Sequence, residues 1–282
     1  MIEILIACAV IVGIGLLCGG VLVLSHYFFS VKEDERFSKI RACLPGVNCG
    51  ACGFTGCDEY AKALVADPTL PANLCVPGAD AVASSLATIL GKEAEDVVEK
   101  VAVLACDGNC YATSIKYDYT GPATCKAVSA LYNGNGMCAY GCIGYGDCAS
   151  VCPNDAICIR EGIAHIDTRK CTGCGMCAKA CPHHIISIVA DVERVYVACS
   201  NKDKGAQTRK ACQNGCIGCK KCEKTCEHGA ITVVDNLAQI DYDKCVDCKK
   251  CVEVCPVKCI IYKDLSGIHR GIESFEAQNA EK

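Results

Sequence analysis

Two runs of four cysteines with the spacing C-x2-C-x2-C-x3-C lie towards the end of the chain, at residues 216–226 and 245–255. In the second run the last cysteine is followed by a proline, Pro256. This spacing is typical of proteins that bind two cubic [4Fe-4S] clusters, in which the fourth cysteine of each run binds the other run's cluster. It predicts one cluster on Cys216, Cys219, Cys222 and Cys255, and a second on Cys245, Cys248, Cys251 and Cys226.

The amino-acid composition limits what else can stabilise such a chain. Among 282 residues there are 30 cysteines, 5 phenylalanines and no tryptophan. A large aromatic core is therefore not expected, and bound clusters are predicted to supply much of the folding energy. The net charge of −4 argues against a general nucleic-acid binder, so no nucleic-acid partner is predicted.

Three kinds of site compete for so many cysteines. Disulfide scaffolds are usual in cysteine-rich secreted chains, but no cleavable secretory signal is evident here. Zinc sites use C-x2-C pairs separated by a longer gap, whereas these runs place four cysteines in eleven residues. Iron–sulfur clusters are therefore favoured, and they indicate a reducing compartment.

A stretch without charged residues, Ile4 to Leu24, has about the length that a helix needs to cross a bilayer. Four basic residues follow it, namely Lys32, Arg36, Lys39 and Arg41. The positive-inside rule then places the rest of the chain in the cytoplasm. We therefore predict a single-pass protein of the inner membrane with cytoplasmic C-terminal domains.

A different cysteine pattern follows this stretch. Cys49, Cys52 and Cys57 lie among glycines, and Cys75 closes the spacing C-x2-C-x4-C-x17-C. Glycines let backbone amides approach cluster sulfides. A zinc knuckle is the alternative, and Cys43 is read as a spare cysteine.

This segment, behind an apolar span and ahead of cluster motifs, closely resembles the B subunit of the Rnf complex, a membrane-bound, ion-translocating ferredoxin:NAD oxidoreductase. The resemblance covers essentially the whole chain and fits a long form with extra ferredoxin-like repeats. It implies a [4Fe-4S] cluster on Cys49, Cys52, Cys57 and Cys75. It also implies reduced ferredoxin and other Rnf membrane subunits as partners, with flavin and NAD on other subunits.

The chain also contains a duplicated block. The run beginning at Cys142 aligns with the run beginning at Cys216, but Tyr145 stands where a second ligand is expected. Either this cluster is missing, or Cys138 moves in, and we favour the second. The predicted first-block sets are then Cys138, Cys142, Cys148 and Cys181 for one cluster, and Cys171, Cys174, Cys177 and Cys152 for the other.

Several cysteines remain outside these five sets. Cys158 and Cys259 are read as core residues. A sixth cluster between the blocks, or a set of buried thiols, is predicted for Cys106, Cys110, Cys125, Cys199 and Cys212. The predicted cofactors are thus five or six [4Fe-4S] clusters.

The predicted fold class is α+β, with an N-terminal transmembrane helix, a small 4Fe-4S domain and two tandem bacterial-type 2[4Fe-4S] ferredoxin-like units. Each unit is expected to contain a hairpin, at 156–167 and 229–241. The predicted boundaries are 1–28 for the anchor, 29–80 for the four-cysteine domain, 81–137 for a linker with a helix, a strand and additional cysteines, 138–190 and 191–265 for the two units, and 266–282 for a polar tail.

Positive charge is concentrated on the second block, although the chain is acidic overall. Small ferredoxins are generally acidic, and complementary charge speeds encounter. Docking of ferredoxin is predicted at Lys220, Lys221 and Lys224, and an ordinary solvated surface is the alternative.

The sequence contains no nucleotide-binding glycine loop, flavin signature or nucleophile–base arrangement. No complete active site is therefore expected on this chain. The favoured hypothesis is an electron-transfer subunit of the oxidoreductase complex. The alternatives are a membrane-anchored polyferredoxin of a complex that does not pump ions, and a zinc-rich structural module.

Overall fold

The computed structural model describes residues 2–29, 34–67, 69–93, 100–190 and 194–265, and within the first helix the side chains at positions 2, 6, 12–25 and 27. That helix, α1, runs from Ile2 to Phe29. Apolar side chains along it are exposed, among them Leu16, Leu17 and Leu22. Among the described residues, no helix was found with the length and apolar character needed to cross a membrane.

Three helices form the small N-terminal domain. They are α2 (Glu35–Cys43), α3 (Cys57–Ala66) and α4 (Ala79–Leu90), with a 3₁₀ turn at Val76–Gly78 before α4. Ile40, Tyr60, Leu64 and Leu86 are fully buried where these helices meet. Gly91 ends α4 in the left-handed conformation.

The first ferredoxin-like unit contains two two-stranded antiparallel sheets. Strand β1 (Lys100–Leu104) pairs with β4 (Ile186–Ala190), and β2 (Ile157–Arg160) pairs with β3 (Ile163–Ile166). The short helices between these strands are α5 (Cys125–Ser129), α6 (Asp147–Ser150) and α7 (Met176–Ala180).

The second unit repeats this plan. Strand β5 (Arg194–Val197) pairs with β8 (Ile260–Lys263), and β6 (Ile231–Val234) pairs with β7 (Leu237–Ile240). Its helices are α8 (Gly205–Ala211), α9 (Lys221–Thr225) and α10 (Lys250–Glu253). Both predicted hairpins are confirmed, as is the mixed helix and strand content. The predicted tail at 266–282 lies outside the described residues.

The strand pairing bears on where the first unit begins. Because β1 pairs with β4 along its whole length, from Lys100 opposite Ala190 to Leu104 opposite Ile186, β1 is part of the first unit's sheet. The predicted start of this unit at residue 138 leaves that strand in the linker. The pairing instead favours a unit that starts near residue 100.

The two units pack directly against each other. Val101 and Val103 of β1 form a buried cluster with Leu265, which follows β8, and Tyr196 of β5 packs against it. Beyond the strands, the Asp107 amide donates to the Ala198 carbonyl at 3.1 Å, and the Gln213 amide donates to the Ala112 carbonyl at 2.8 Å. The segment after β1 is therefore fixed to the second unit.

Candidate iron–sulfur centres

The described residues contain no group of three or more His, Cys, Asp or Glu side chains placed to hold a single metal ion. Around one zinc ion, thiolates lie within about 4.6 Å of each other, twice the Zn–S bond. In a [4Fe-4S] cluster each cysteine binds a different iron, so the thiols line the walls of a larger space. A cysteine therefore belongs to a site when its thiol lies close enough to the other thiols of that site for their charges to interact.

Site 1 consists of cysteines in the small N-terminal domain. Cys57 is the first residue of α3, and its amide donates to Asn48 Oδ1 at 2.8 Å. The pKa of Cys75 is raised to about 11, mainly by burial and to a smaller extent by the charges of the nearby thiols of Cys57, Cys52 and Cys49. Those thiols show that the structure brings together the predicted set of Cys49, Cys52, Cys57 and Cys75.

Site 2 lies between β4 and the loop before α7. Burial raises the pKa of Cys177 to about 11, and the charges of three neighbouring thiols contribute. Two backbone amides donate hydrogen bonds to sulfurs of this set. The Ala102 amide donates to Cys171 Sγ and the Ala156 amide to Cys152 Sγ, both at 3.3 Å. The structure thus brings together the predicted set of Cys152, Cys171, Cys174 and Cys177.

Site 3 differs from the prediction. Burial raises the pKa of Cys148 to about 12, and the thiols that add to this effect include Cys125 and Cys181. Burial also raises the pKa of Cys142, and again Cys125 and Cys181 are the neighbouring thiols. The set that the structure brings together is therefore Cys125, Cys142, Cys148 and Cys181.

The placement of Cys125 has a clear structural cause. Thr124 caps α5, and the amides of Cys125 and Lys126 donate to the carboxylate of Asp147 at 2.9 and 3.0 Å. Asp147 directly precedes Cys148, so the start of α5 is held beside site 3. Cys125, not Cys138, takes the place that Tyr145 leaves. The assignment of Cys138 to this set is corrected accordingly.

Sites 5 and 6 belong to the second unit and match the predicted sets. Burial raises the pKa of Cys222 and of Cys251 to about 11 each, with smaller contributions from neighbouring thiols. Burial also raises the pKa of Cys245, near Cys226. Site 5 is formed by Cys216, Cys219, Cys222 and Cys255, and site 6 by Cys226, Cys245, Cys248 and Cys251.

Cys259 is more than a core residue. Its side chain is 1% exposed, and its Sγ lies 3.7 Å from Cys255 Sγ. Hydrogen bonding by Cys259 lowers the pKa of Cys255 to about 5 and that of Cys216 to about 6. The predicted packing role is thus combined with contact to two thiols of site 5.

The five cysteines predicted for a possible sixth cluster do not lie at one site in the structure. Cys110 is exposed, and Cys125 belongs to site 3. The remaining three cysteines line one cavity together with Cys138. We call it the central cavity, and it takes the place of site 4 in the numbering. Its four cysteines are Cys106, Cys138, Cys199 and Cys212. The duplicated sequence already indicated this grouping. Cys106 and Cys199 each follow a strand, and Cys138 and Cys212 each lie four residues before the first cysteine of a cluster motif.

Comparison with protein families identifies three iron–sulfur segments. Residues 44–77 match a model described as a putative Fe-S cluster, residues 164–187 a 4Fe-4S binding domain, and residues 215–259 a 4Fe-4S dicluster domain. These segments include all four cysteines of sites 1, 5 and 6, and three of the four cysteines of site 2. They do not include the cysteines of the central cavity.

Curated relatives cover most of the chain. The B subunit of the Na(+)-translocating ferredoxin:NAD(+) oxidoreductase complex of Acetobacterium woodii is 42% identical, over 87% of this chain and 74% of its own length. The proton-translocating counterpart in Clostridium ljungdahlii is 43% identical, over 81% of both chains. The B subunit of the ion-translocating oxidoreductase complex of Methanosarcina acetivorans is 38% identical, over 89% of this chain and 96% of its own length.

The chain belongs to the family of Rnf B subunits. This confirms the resemblance seen in the sequence and makes the chain a subunit of an oxidoreductase complex. The same relatives extend beyond the three segments matched by family models. Shared ancestry therefore also includes the part of the chain that forms site 3 and the central cavity.

Three pairs of sites in this Rnf protein lie close together, namely sites 1 and 2, sites 2 and 3, and sites 5 and 6. Lys179, on α7 beside site 2, donates through Nζ to the carbonyl of Cys49 in site 1 at 2.7 Å. Cys177 of site 2 lies close enough to Cys148 of site 3 for their charges to interact. Cys222 of site 5 and Cys251 of site 6 are related in the same way.

Proposed function

We propose that this chain is the electron-transfer subunit of a membrane-bound, ion-translocating ferredoxin:NAD oxidoreductase, in which sites 1, 2, 3, 5 and 6 each bind a [4Fe-4S] cluster. The observation that carries the proposal is the gathering of four cysteines at each of these sites in a family member. When bound, such clusters supply single-electron, outer-sphere transfer between neighbours.

The residues of the chain fit these clusters. Each site presents four thiols, and backbone amides of Ala102, Ala156 and Ala230 donate to ligand sulfurs at 3.3 Å. Amide donors of this kind stabilise thiolate charge and adjust reduction potential. Because buried thiols bind metal only after they lose a proton, cluster assembly releases protons.

The proposed direction of electron transfer runs from the second unit to the small domain. Reduced ferredoxin would donate at site 5 or site 6, where Cys219 and Cys248 are exposed. Site 1 follows directly on the N-terminal helix and would deliver electrons to other Rnf membrane subunits. NAD and flavin would be bound by those partners.

The N-terminal stretch that includes α1 is proposed as the membrane anchor, and this proposal rests on the sequence, because the described part of α1 was not found to have the length and apolar character needed to cross a bilayer. The run from Ile4 to Leu24 contains no charged residue, and basic residues follow at Arg36, Lys39 and Arg41. The proposed location is the inner membrane, with one span and cytoplasmic cluster domains. The names of the relatives, which describe ion-translocating complexes, agree with this location.

The proposed function has a direct test. Full-length protein, purified without oxygen, is expected to be brown, to contain acid-labile sulfide, and to be reduced by reduced ferredoxin in rapid-mixing experiments. A colourless protein with stoichiometric zinc would support the zinc-rich module instead. Cluster reduction without coupled ion movement, in vesicles that contain the whole complex, would support the polyferredoxin alternative.

Ferredoxin docking is proposed beside site 5. Lys220, Lys221 and Lys224 are exposed around Cys219 and Cys222, and Lys220 Nζ lies 3.8 Å from the Glu223 carboxylate. Reversing all three lysines to glutamate is expected to slow reduction by ferredoxin on the order of 10-fold or more at low ionic strength, because complementary charge speeds encounter. The difference should shrink as salt is added.

A matched control reverses three exposed lysines of the first unit, Lys116, Lys126 and Lys170. The change in net charge is identical, but the altered face is different. Stopped-flow reduction rates across a salt series compare the two variants. Equal slowing in both would contradict a docking face at site 5 and would indicate a general effect of net charge.

A further inference from the structure

The central cavity lies where the two ferredoxin-like units meet. Cys106 follows β1 and Cys199 follows β5, so each unit contributes one cysteine from the end of an equivalent strand. Cys138 and Cys212 complete the set, and all four line the cavity. Residues on both sides are held by cross-unit bonds, including Ser200 Oγ to the Tyr140 carbonyl at 3.0 Å. The four thiols are thus held in place by both units.

Backbone amides point at two of these sulfurs in matching pairs. Cys106 Sγ accepts from the amides of Gly108 at 3.4 Å and Cys142 at 3.3 Å. Cys199 Sγ accepts from the amides of Asn201 at 3.4 Å and Cys216 at 3.3 Å. Paired donors of this kind are suited to sulfur that carries negative charge, as a metal-bound thiolate does.

The described residues include two buried polar side chains, and both are here. Asn201 is 1% exposed and Thr208 is fully buried. Asn201 donates through Nδ2 to Cys138 Sγ at 3.4 Å, while its Oδ1 accepts from the Asp203 amide at 2.7 Å and from Thr208 Oγ1 at 3.3 Å. Because buried polar groups need partners, this arrangement fixes an amide donor on a cysteine of the cavity.

Glycines leave room beside the thiols. A Cβ at Gly141 would lie 3.6 Å from both Cys106 Sγ and Cys138 Sγ. A Cβ at Gly108 would lie 3.4 Å from Cys212 Sγ and 3.5 Å from Cys106 Sγ. A side chain at either position would therefore occupy space between pairs of thiols.

We propose that Cys106, Cys138, Cys199 and Cys212 bind a further [4Fe-4S] cluster, which connects site 3 to site 5. The proposal rests on the proposed electron-transfer function and gives it a continuous path. The amide of Cys142, in site 3, donates to Cys106, and the amide of Cys216, in site 5, donates to Cys199. One residue from each neighbouring site thus contacts a thiol of the central cavity.

The test uses the full-length protein purified anaerobically. Cys212→Ala is expected to lose one cluster's content of iron and sulfide, whereas Cys110→Ala, at an exposed cysteine, keeps the wild-type content. In freeze-quench EPR after mixing with reduced ferredoxin, sites 5 and 6 should still be reduced rapidly in Cys212→Ala. Sites 1 to 3 should be reduced at least an order of magnitude more slowly.

The outcomes separate this inference from the proposed function. Brown wild-type protein whose iron and sulfide do not fall in Cys212→Ala would overturn the central cluster and leave the proposed function standing. Loss of one zinc ion in this variant, with iron unchanged, would also overturn it. Absence of iron and sulfide from the wild-type protein would overturn the proposed function itself.

A second variant avoids removing a ligand, in case Cys212→Ala does not fold. Asn201→Asp keeps the side-chain shape but replaces the amide donor near Cys138 with a carboxylate. The midpoint potential of one EPR signal is expected to shift to a lower value, while the other signals keep theirs. Unchanged potentials for every cluster, with wild-type iron content, would contradict the proposal.

Discussion

Replacing Cys125 with alanine is expected to remove the site 3 cluster alone. The Cys125 side chain is 8% exposed and stands beside Cys142 and Cys148, whose own motif has Tyr145 in place of a ligand. Loss of this buried ligand leaves one iron without its thiolate and breaks the four-cysteine coordination of the cluster. Electron transfer from site 5 to site 1 should fall by at least an order of magnitude.

The measurement is iron and acid-labile sulfide per chain, with EPR of the reduced protein. Cys158→Ala provides a matched control, because Cys158, which was predicted to be a core residue, is instead an exposed cysteine on strand β2 of the same unit. The control should keep every cluster. If Cys125→Ala also kept them all while Cys138→Ala lost the site 3 signal, the original assignment of Cys138 would be restored.

Removing iron and sulfide is expected to unfold both ferredoxin-like units. Their sheets contain two strands each, and two-stranded pairs are at best marginally stable in water. The first unit's core consists of small and medium apolar side chains such as Ala102, Ile157 and Ile186, with cysteines packed among them. Metal-binding energy is then largely folding energy.

The small N-terminal domain offers an internal comparison. Its helices bury Ile40, Tyr60, Leu64 and Leu86 against one another, so part of its core does not depend on cysteine. Hydrogen-exchange mass spectrometry after anaerobic chelation should show nearly complete loss of protection in β1–β8 and partial retention in α3 and α4. Persistent protection of the strands in metal-free protein would contradict this expectation.

Much of the fold could be predicted because short-range spacing encodes it. The cysteine sets of sites 2, 5 and 6 follow from one spacing rule, and the strands beside them follow from apolar runs bounded by glycine or aspartate. The end of helix α4 was predictable from Gly91. Within each run the pattern depends on residues within about a dozen positions of each other, and the ferredoxin spacing rule itself assigns the fourth cysteine to the partner run.

Site 3 was mispredicted because its fourth cysteine is placed by long-range contacts. Cys138 lies four residues before Cys142 and was the natural substitute for a ligand at Tyr145. The contact that decides against it is the Asp147 carboxylate, which holds the amides at the start of α5. That bond cannot be predicted from the spacing of the cysteines. Comparison of the two blocks, in contrast, already placed Cys138 at the position equivalent to Cys212.

The matching ends of β1 and β5 have a consequence for symmetry. Each ferredoxin-like unit supplies two of the four thiols in the central cavity, from equivalent positions: Cys106 and Cys138 from one, Cys199 and Cys212 from the other. A single unit therefore carries half of a four-thiol site. Two identical units related by a two-fold axis would supply all four thiols, one pair from each unit.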